Sequence, residues 1–423
     1  MKSESHQLKS VRLDEVCRLV TDGTHDSPKL QLTGVPFIKG KHISGGFVDF
    51  ENCDFITIYD HRKAILRSKP ERGDILFSNI GSVGDAVYVR TNREFSIKNV
   101  ALFKPDYTKV DSRYLYYVVI GPEFRGELMS KRQGVAQPFF SLEILRSHQV
   151  RYHEDIMIQR KIAAILSAYD DLIENNLRRI KILEEMAQNL YREWFVNFRF
   201  LGHQRVRFID SPLGRIPEGW EVKCIGDTFV TVLGGTPSRE KPEYWDGGTI
   251  PWINSGKVNE RRIIEPSELI TELALNRSAS KLMGKGTTVL AITGATLGQV
   301  SYLEIETTAN QSVVGITDLS GVRSEWIYLT ICNRIEGIVK HASGGAQQHI
   351  NKEVVNNVLV VLPPVKLALM FKHLIEPVFR EIATLLFQQK NLRRTRDLLL
   401  PKLISGEVDV SKMDIVIPAE TGG

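Results

Sequence analysis

Two stretches of the chain carry seam positions at alternating spacings of four and three. The first ladder runs Ile162, Leu166, Tyr169, Ile173, Asn176, Ile180, Leu183, Ala187, Leu190, Trp194; the second runs Phe371, Ile375, Val378, Ile382, Leu385, Gln389, Leu392, Arg396, Leu399, Leu403. Alternation held over four heptads is the mark of a coiled-coil seam. Residues 155–200 contain no Gly or Pro, and residues 365–405 are interrupted only by Pro377 and Pro401. Pro377 is expected to kink the second helix or delay its start. The ladders match antiparallel when residue numbers sum to 565, which sets Ile162 against Leu403, Ile180 against Leu385 and Trp194 against Phe371. Asn176 then meets Gln389, and Arg396 is expected to stack on the ring of Tyr169. A parallel pairing would set Asn176 against an aliphatic residue, leaving an amide unsatisfied at a cost of about 1–3 kcal/mol.

Elsewhere the pattern shortens. Runs such as "DILFSNIGSVGDAVYV" (74–89) and "TVLAITGATLGQVSYL" (288–303) alternate β-branched residues with Gly-rich turns and predict short strands, joined by a few helices such as 112–130 and 324–340. The same material occurs twice. "VPFIKGKHI" (35–43) resembles "IPWINSGKV" (250–258), "RGDILFSNIGSVGDAVYV" (72–89) resembles "KGTTVLAITGATLGQVSYL" (285–303), and "SRYLYYVV" (112–119) resembles "SEWIYLTI" (324–331). "QGVAQPFFSLEIL" (133–145) and "SGGAQQHINKEVV" (343–355) continue the series in the same order. A unit of roughly 210 residues is therefore duplicated, each copy a mixed domain followed by a long helix.

Composition adds limits rather than direction. At 423 residues the chain exceeds one core. No run of 18 or more apolar residues predicts a membrane span, and the N-terminal "MKSESHQLKSVRLDEV" lacks a signal peptide's apolar core, which points to the cytoplasm. Cys17, Cys53, Cys224 and Cys332 lie far apart with no metal-ligand spacing. A net charge of +5 permits a polyanionic partner without demanding one.

Catalytic motifs are missing. "GKGTT" (284–288) lacks the first Gly and the Ser or Thr after Lys of a phosphate loop. "LPP" (362–364) lacks the acidic or amide residue and the aromatic of an amino-methyltransferase motif, and no Gly-rich cofactor loop accompanies it. "EVK" (221–223) reads as the start of a domain rather than a nuclease cluster, and no His pairing suits zinc. Binding remains. Gly-rich loops let backbone N–H groups approach phosphates, and Arg, Asn and Gln can bond base edges in pairs. A duplicated binder on a helical spacer suits DNA. From Ile162 to Trp194 is 32 residues, roughly 48 Å at 1.5 Å per residue, against about 34–36 Å for one turn of the duplex.

"PLGRIPEGWEVKCIGD" (212–227), "QRKIAAILSAYDDLIENNLRRIKILEEMAQNLYREWFV" (159–196) and "LRRTRDLLLPKLISGEVDV" (392–410) carry a resemblance, over essentially the whole chain, to the specificity (S) subunit of Type I restriction-modification systems. The resemblance implies α/β (α+β) target-recognition domains in tandem duplication, joined by two long conserved helices in an antiparallel coiled coil with pseudo-twofold architecture. The implied boundaries are 1–153 and 201–363 for the recognition domains, 154–200 and 364–410 for the helical spacers, and 411–423 for a tail. It implies a non-catalytic subunit that binds double-stranded DNA and two methyltransferase (M) subunits, with restriction (R) subunits joined through them. S-adenosylmethionine, ATP and Mg would be used by those partners, and no cofactor or metal would be bound by this chain. One rival reading is a two-lobed binding scaffold unrelated to DNA; a second, a self-sufficient methyltransferase or nuclease, is opposed by the absent motifs.

Candidate DNA contacts are loop polar residues: Thr24, His25, Lys39, Lys41, Asn79, Ser82, Lys98, Arg132, Gln133 and Gln137 in the first copy. In the second they are Thr236, Ser238, Arg239, Asn254, Lys257, Thr293, Thr296, Gln311, Gln347, Gln348 and His349. A basic cluster, His61, Arg62, Lys63, Arg67, Lys69 and Arg72, could follow a phosphate backbone or form a solvated face. Trp194, Phe195, Phe198 and Phe200 form an aromatic end that one seam cannot bury: either it is a partner surface, with an M subunit the candidate, or it packs onto the second recognition domain.

Overall fold

The computed structural model describes residues 8–81, 83–134, 138–340, 342 and 348–418. Two compact units emerge, one of residues up to Ile173 together with Asn391 onward, the other of Glu174–Lys390. Each long helix contributes to both units, so neither unit coincides with one copy of the sequence repeat.

In the first unit the strands Cys17–Asp22, Ala101–Pro105, Ile75–Phe77 and Ala86–Tyr88 lie side by side in that order, all neighbours antiparallel. A second sheet sets Val35–Lys39 between Asp54–Ile56, antiparallel, and Ser96–Lys98, parallel. A ribbon of Leu8–Arg12 with Gln149–His153 closes the domain. The second unit repeats this topology. Val230–Leu233, Val313–Thr317, Thr288–Ala291, Val300–Leu303 and Arg262–Ile263 form the larger sheet in that order. Ile250–Ile253 lies between antiparallel Glu268–Ile270 and parallel Thr308–Ala309, and Glu221–Cys224 pairs with Leu359–Leu362. Matching strand order and strand sense show the duplication at the level of fold.

Local chemistry explains the helix starts. Asp111 accepts the Tyr114 N–H at 2.9 Å to cap Ser112–Ile120, and Ser141 accepts the Ile144 N–H to cap Leu142–Ser147. The aromatic "YLYY" run is swallowed whole: Tyr114 and Tyr117 are buried beneath the sheet beside the stacked pair Phe77–Phe103.

The long helices are Ile156–Tyr191 and Val365–Ile404. Within each unit their segments run antiparallel. In the first unit, Ile162 and Leu166 share a core with Leu400, Leu403 and Ile404. In the second, Ile180 packs with Ile382 and Leu385, and the rings of Trp194 and Phe371 lie 5.8 Å apart, a pairing that sums to 565. Pro377 neither stops nor delays the second helix. It is exposed, as is His373, whose carbonyl the missing N–H leaves without its helical partner.

Two polar rungs differ from expectation. Arg396 bonds Asp170 at 2.6 Å and also Asp397, rather than stacking on Tyr169, because a carboxylate in reach outcompetes a ring. Asp170 also accepts the Tyr117 hydroxyl at 2.6 Å. Asn176 and Gln389 are both buried, but no hydrogen bond joins them among the described residues, and Gln389 Nε2 has no partner there. Among the described residues, no helix is long and apolar enough to cross a membrane.

Candidate nucleic-acid interface

Strand register decides which loops meet. In the first unit Ala101 faces both Asp22 and Phe77, and Lys39 faces Lys98. The segments that follow Asp22, Lys39 and Phe77 therefore leave the sheets at the same end, together with the turn 98–100. Backbone bonds lock them: Gly23 N–H to Val100 O at 2.9 Å and Thr24 N–H to Ile97 O at 3.0 Å. The segment 132–140 joins through Gly81 N–H to Pro138 O and Phe140 N–H to Asn79 O, both 2.9 Å.

The second unit builds the same frame. Gly234 N–H bonds Val313 O at 3.0 Å, and Gly235 N–H bonds Ala309 O at 2.7 Å. Gly294 N–H bonds Gln348 O at 3.1 Å, and Ile350 N–H bonds Ile292 O at 2.9 Å. Glycine is dictated at the first position of each frame. A Cβ on Gly23 would sit 2.3 Å from Ile97 O, and one on Gly234 would sit 2.1 Å from Asn310 O. Each unit thus carries a rim of five loops on one backbone scaffold.

The rims present different side chains. In the first, Lys39 is held by Asp54 at 2.7 Å, which pulls that carboxyl below its ordinary pKa, and Lys98 bonds Ser27. Asn79 is buried and donates to Phe140 O, so it clamps loops together rather than facing outward. Lys41, Arg132 and Gln133 are exposed, Gln133 in a backbone bridge with Phe139. Thr24 is half-buried, and exposed His25 reaches Asp22 at 3.2 Å. Beneath the rim His42 accepts the Lys39 N–H at 3.1 Å, and burial followed by Lys41 pushes its pKa down.

In the second rim Thr236 donates to Gln311. Asn254 accepts the Lys257 N–H at 3.1 Å, while the Lys257 ammonium is taken up by Glu260 at 2.7 Å and Glu265 at 3.5 Å. Arg239 bonds both oxygens of Glu268, at 2.6 and 2.7 Å, and lies 3.6 Å over the ring of Trp245. Its hydrogen bond holds Glu268 below the ordinary carboxylate range. Thr293 and Thr296 share one turn with Gln348 and His349 through the Thr293–His349 bridge. Ser238 is exposed, its hydroxyl accepting the Glu240 N–H. Lys39, Asn79, Arg239 and Lys257 thus already have partners inside the fold. Ser82, Gln137 and Gln347 lie outside the described residues, as does most of the repeated Gly-x-Ala-Gln motif.

The aromatic end packs onto the second recognition domain rather than facing outward. Trp194, Phe195 and Phe200 are buried in the second unit's core with Trp220, Trp326 and Phe371, and half-buried Phe198 packs edge-on against Trp220 at 5.4 Å. The seam covers part of the cluster, through Phe371 against Trp194 and Phe195, and Trp220 and Trp326 cover the rest. Sequence reasoning also missed Asp22, a buried carboxylate at the first rim bonded to Arg67 and His25. Among the described residues, no group of three or more His, Cys, Asp or Glu could hold a metal ion.

Residues 6–185 and 217–367 match the model of the Type I restriction modification DNA specificity domain. The chain is 29% identical over 307 residues to the Type I restriction enzyme MjaIX specificity subunit of Methanocaldococcus jannaschii, covering 72% of this chain and 71% of that one. It is 22% identical over 431 residues to the HindI specificity subunit of Haemophilus influenzae, covering 85% and 91%. The crystal structure of a Type I restriction-modification S subunit from M. genitalium aligns over 96% of this chain and 98% of its own with a TM-score of 0.60; at 15% identity this likeness speaks to fold alone. The chain therefore belongs to the Type I restriction-modification DNA specificity family, as a sequence-recognition subunit and not a catalytic one.

Proposed function

We propose that each rim reads one half of a bipartite, asymmetric site in double-stranded DNA, and that the paired helices set the separation of the halves. Methyltransferase subunits, two of them, dock on the helices and supply S-adenosylmethionine-dependent adenine methylation. Restriction subunits join through them with ATP and magnesium, and the complex works in the cytoplasm. One observation supports this reading above others: a single hydrogen-bonded loop frame occurs twice with different side chains on it. Two like frames suit two stretches of one repeating polyanion, and unlike side chains suit two different base sequences.

The test is methylome sequencing of a host carrying the system, with and without this chain, together with binding of the assembled complex to random-sequence duplex across a salt series. One bipartite methylated motif that disappears with the chain is expected. Affinity for random duplex should fall with salt at about 0.9 log units per log unit for each phosphate contacted. A motif that survives deletion, or affinity indifferent to salt, would overturn the reading.

A further inference from the structure

Asp22 ends the first edge strand and is only 5% exposed, yet both of its oxygens hold basic side chains that face outward. Oδ1 accepts from Arg67 Nη2, and Oδ2 lies 3.2 Å from His25 Nε2. The Arg67 and His25 side chains are 49% and 57% exposed. Arg67 comes from the turn after the helix Ile58–Ile65, 45 residues away, and is brought to the rim only by the fold. Its Nε and Nη1 have no hydrogen-bond partner among the described residues. A buried carboxylate that takes one Nη2 hydrogen leaves the other Nη2 hydrogen and its neighbouring donor as a planar fork, aimed and pre-ordered.

The second rim lacks this device. Gly23 and Gly234 make the corresponding backbone bonds, to Val100 and Val313, so Leu233 stands where Asp22 does. Leu233 is 40% exposed. If the shared frame needed this ion pair to hold its shape, both copies would carry one. The pair is private to the first reader, as a sequence-determining contact must be when two readers differ.

Resting on the DNA-recognition reading above, we propose that Arg67, aimed by Asp22, reads a guanine in the half-site of the first rim. Guanine is the base whose major-groove edge offers two adjacent acceptors, O6 and N7, to a fork of this kind. Asp22 is then a positioning residue, and His25 is fixed beside the same base pair.

The test selects sequences from a duplex library randomised in both half-sites, using the full chain assembled with its methyltransferase subunits. Wild type is compared with Arg67→Lys, which keeps the charge without the fork, and with the near-isosteric Asp22→Asn, which keeps the arginine but loosens its aim. Both variants are expected to relax the same single guanine position by roughly ten- to a hundredfold, leaving every other position and the second half-site unchanged. Asp22→Asn also carries the test should Arg67→Lys fail to assemble. Retention of every base preference with uniformly weaker binding and a shallower salt slope would make Arg67 a phosphate contact and overturn the proposal. Retention of every preference with only a lower melting temperature would make the pair a structural clamp, and overturn it too. A wild-type complex that selects no bipartite motif would overturn the broader reading first.

Discussion

Phe371→Ala probes the helix register where its energetics are largest. Phe371 is 1% exposed, 5.8 Å from the ring of Trp194 and 4.7 Å, edge-on, from that of Phe195. Truncating a buried Phe costs about 3–5 kcal/mol, a range that already includes the roughly 0.5–1.5 kcal/mol each aromatic pair supplies beyond area. Two ring partners put Phe371 at about 4–5 kcal/mol. A unit as large as Glu174–Lys390 shifts by about 2–4 °C per kcal/mol, so its transition should fall by about 8–20 °C. Differential scanning calorimetry of the full chain reads this directly. Adding Trp194→Ala and the double variant isolates the pair, with an expected coupling of about 0.5–1.5 kcal/mol. A coupling indistinguishable from zero, or a fall of less than about 3 °C, would refute the claim that the start of the second helix seats against the end of the first through these rings.

Cysteines at Asn176 and Gln389, in a background without Cys224 and Cys332, should close under mild oxidation. The pair Asn176→Cys with Leu385→Cys, displaced by about 6 Å along the helix, should not; the opposite order on a non-reducing gel would reject the register. Asp170→Asn should cost about 2–3 kcal/mol by urea titration, less than the 3–5 of a fully buried pair, because Arg396 keeps Asp397 and some solvent; an unchanged midpoint would mean the ion pair contributes nothing. Burial raises the pKa of Glu325, whose Oε1 accepts from Tyr302 at 3.2 Å and whose Oε2 has no partner among the described residues. The folded state therefore holds its proton more tightly than the unfolded chain. Its contribution is complete below the ordinary value of 4.5 and is lost as pH rises through the elevated folded value. Glu325→Gln should stabilise the second unit at pH 8 and flatten its stability between pH 5 and 8, as followed by melting temperature; a parallel pH profile would exclude Glu325 as the cause.

The parts of this molecule legible in the sequence are those whose information is periodic or repeated. The 4-3 ladders gave an antiparallel pairing that Trp194 and Phe371 adopt, since a seam is decided by which face is apolar and needs no knowledge of a third element. Order in the repeated segments likewise carried through to strand order. Where a third element intervenes, the reading failed for physical reasons. Phe195 and Phe200 looked surplus to a two-helix seam, and Trp220 and Trp326 from elsewhere in the chain cover them, while Trp194 keeps its seam partner Phe371. Tyr169 lost Arg396 to an aspartate one position along, because a one-residue offset on a helix turns a side chain by about 100° and so changes which group a long cation can reach.

The rims show why contacts resisted prediction more than fold did. Their backbone frame rests on glycines that steric contact dictates, a signal visible in sequence. Whether a polar side chain on that frame is free depends on partners far along the chain: Asp54 for Lys39, Glu268 for Arg239, Glu265 for Lys257, Asp22 for Arg67. Each such pairing withdraws donors from a ligand or aims them at one, and composition cannot distinguish the two outcomes. The distinction is geometric. Arg239 gives both Nη groups to Glu268 and rests its face on Trp245, whereas among the described residues Arg67 gives only Nη2. Two exposed arginines on equivalent frames thus differ in the donors they leave free, and a common scaffold can carry two unlike polar surfaces without any change of fold.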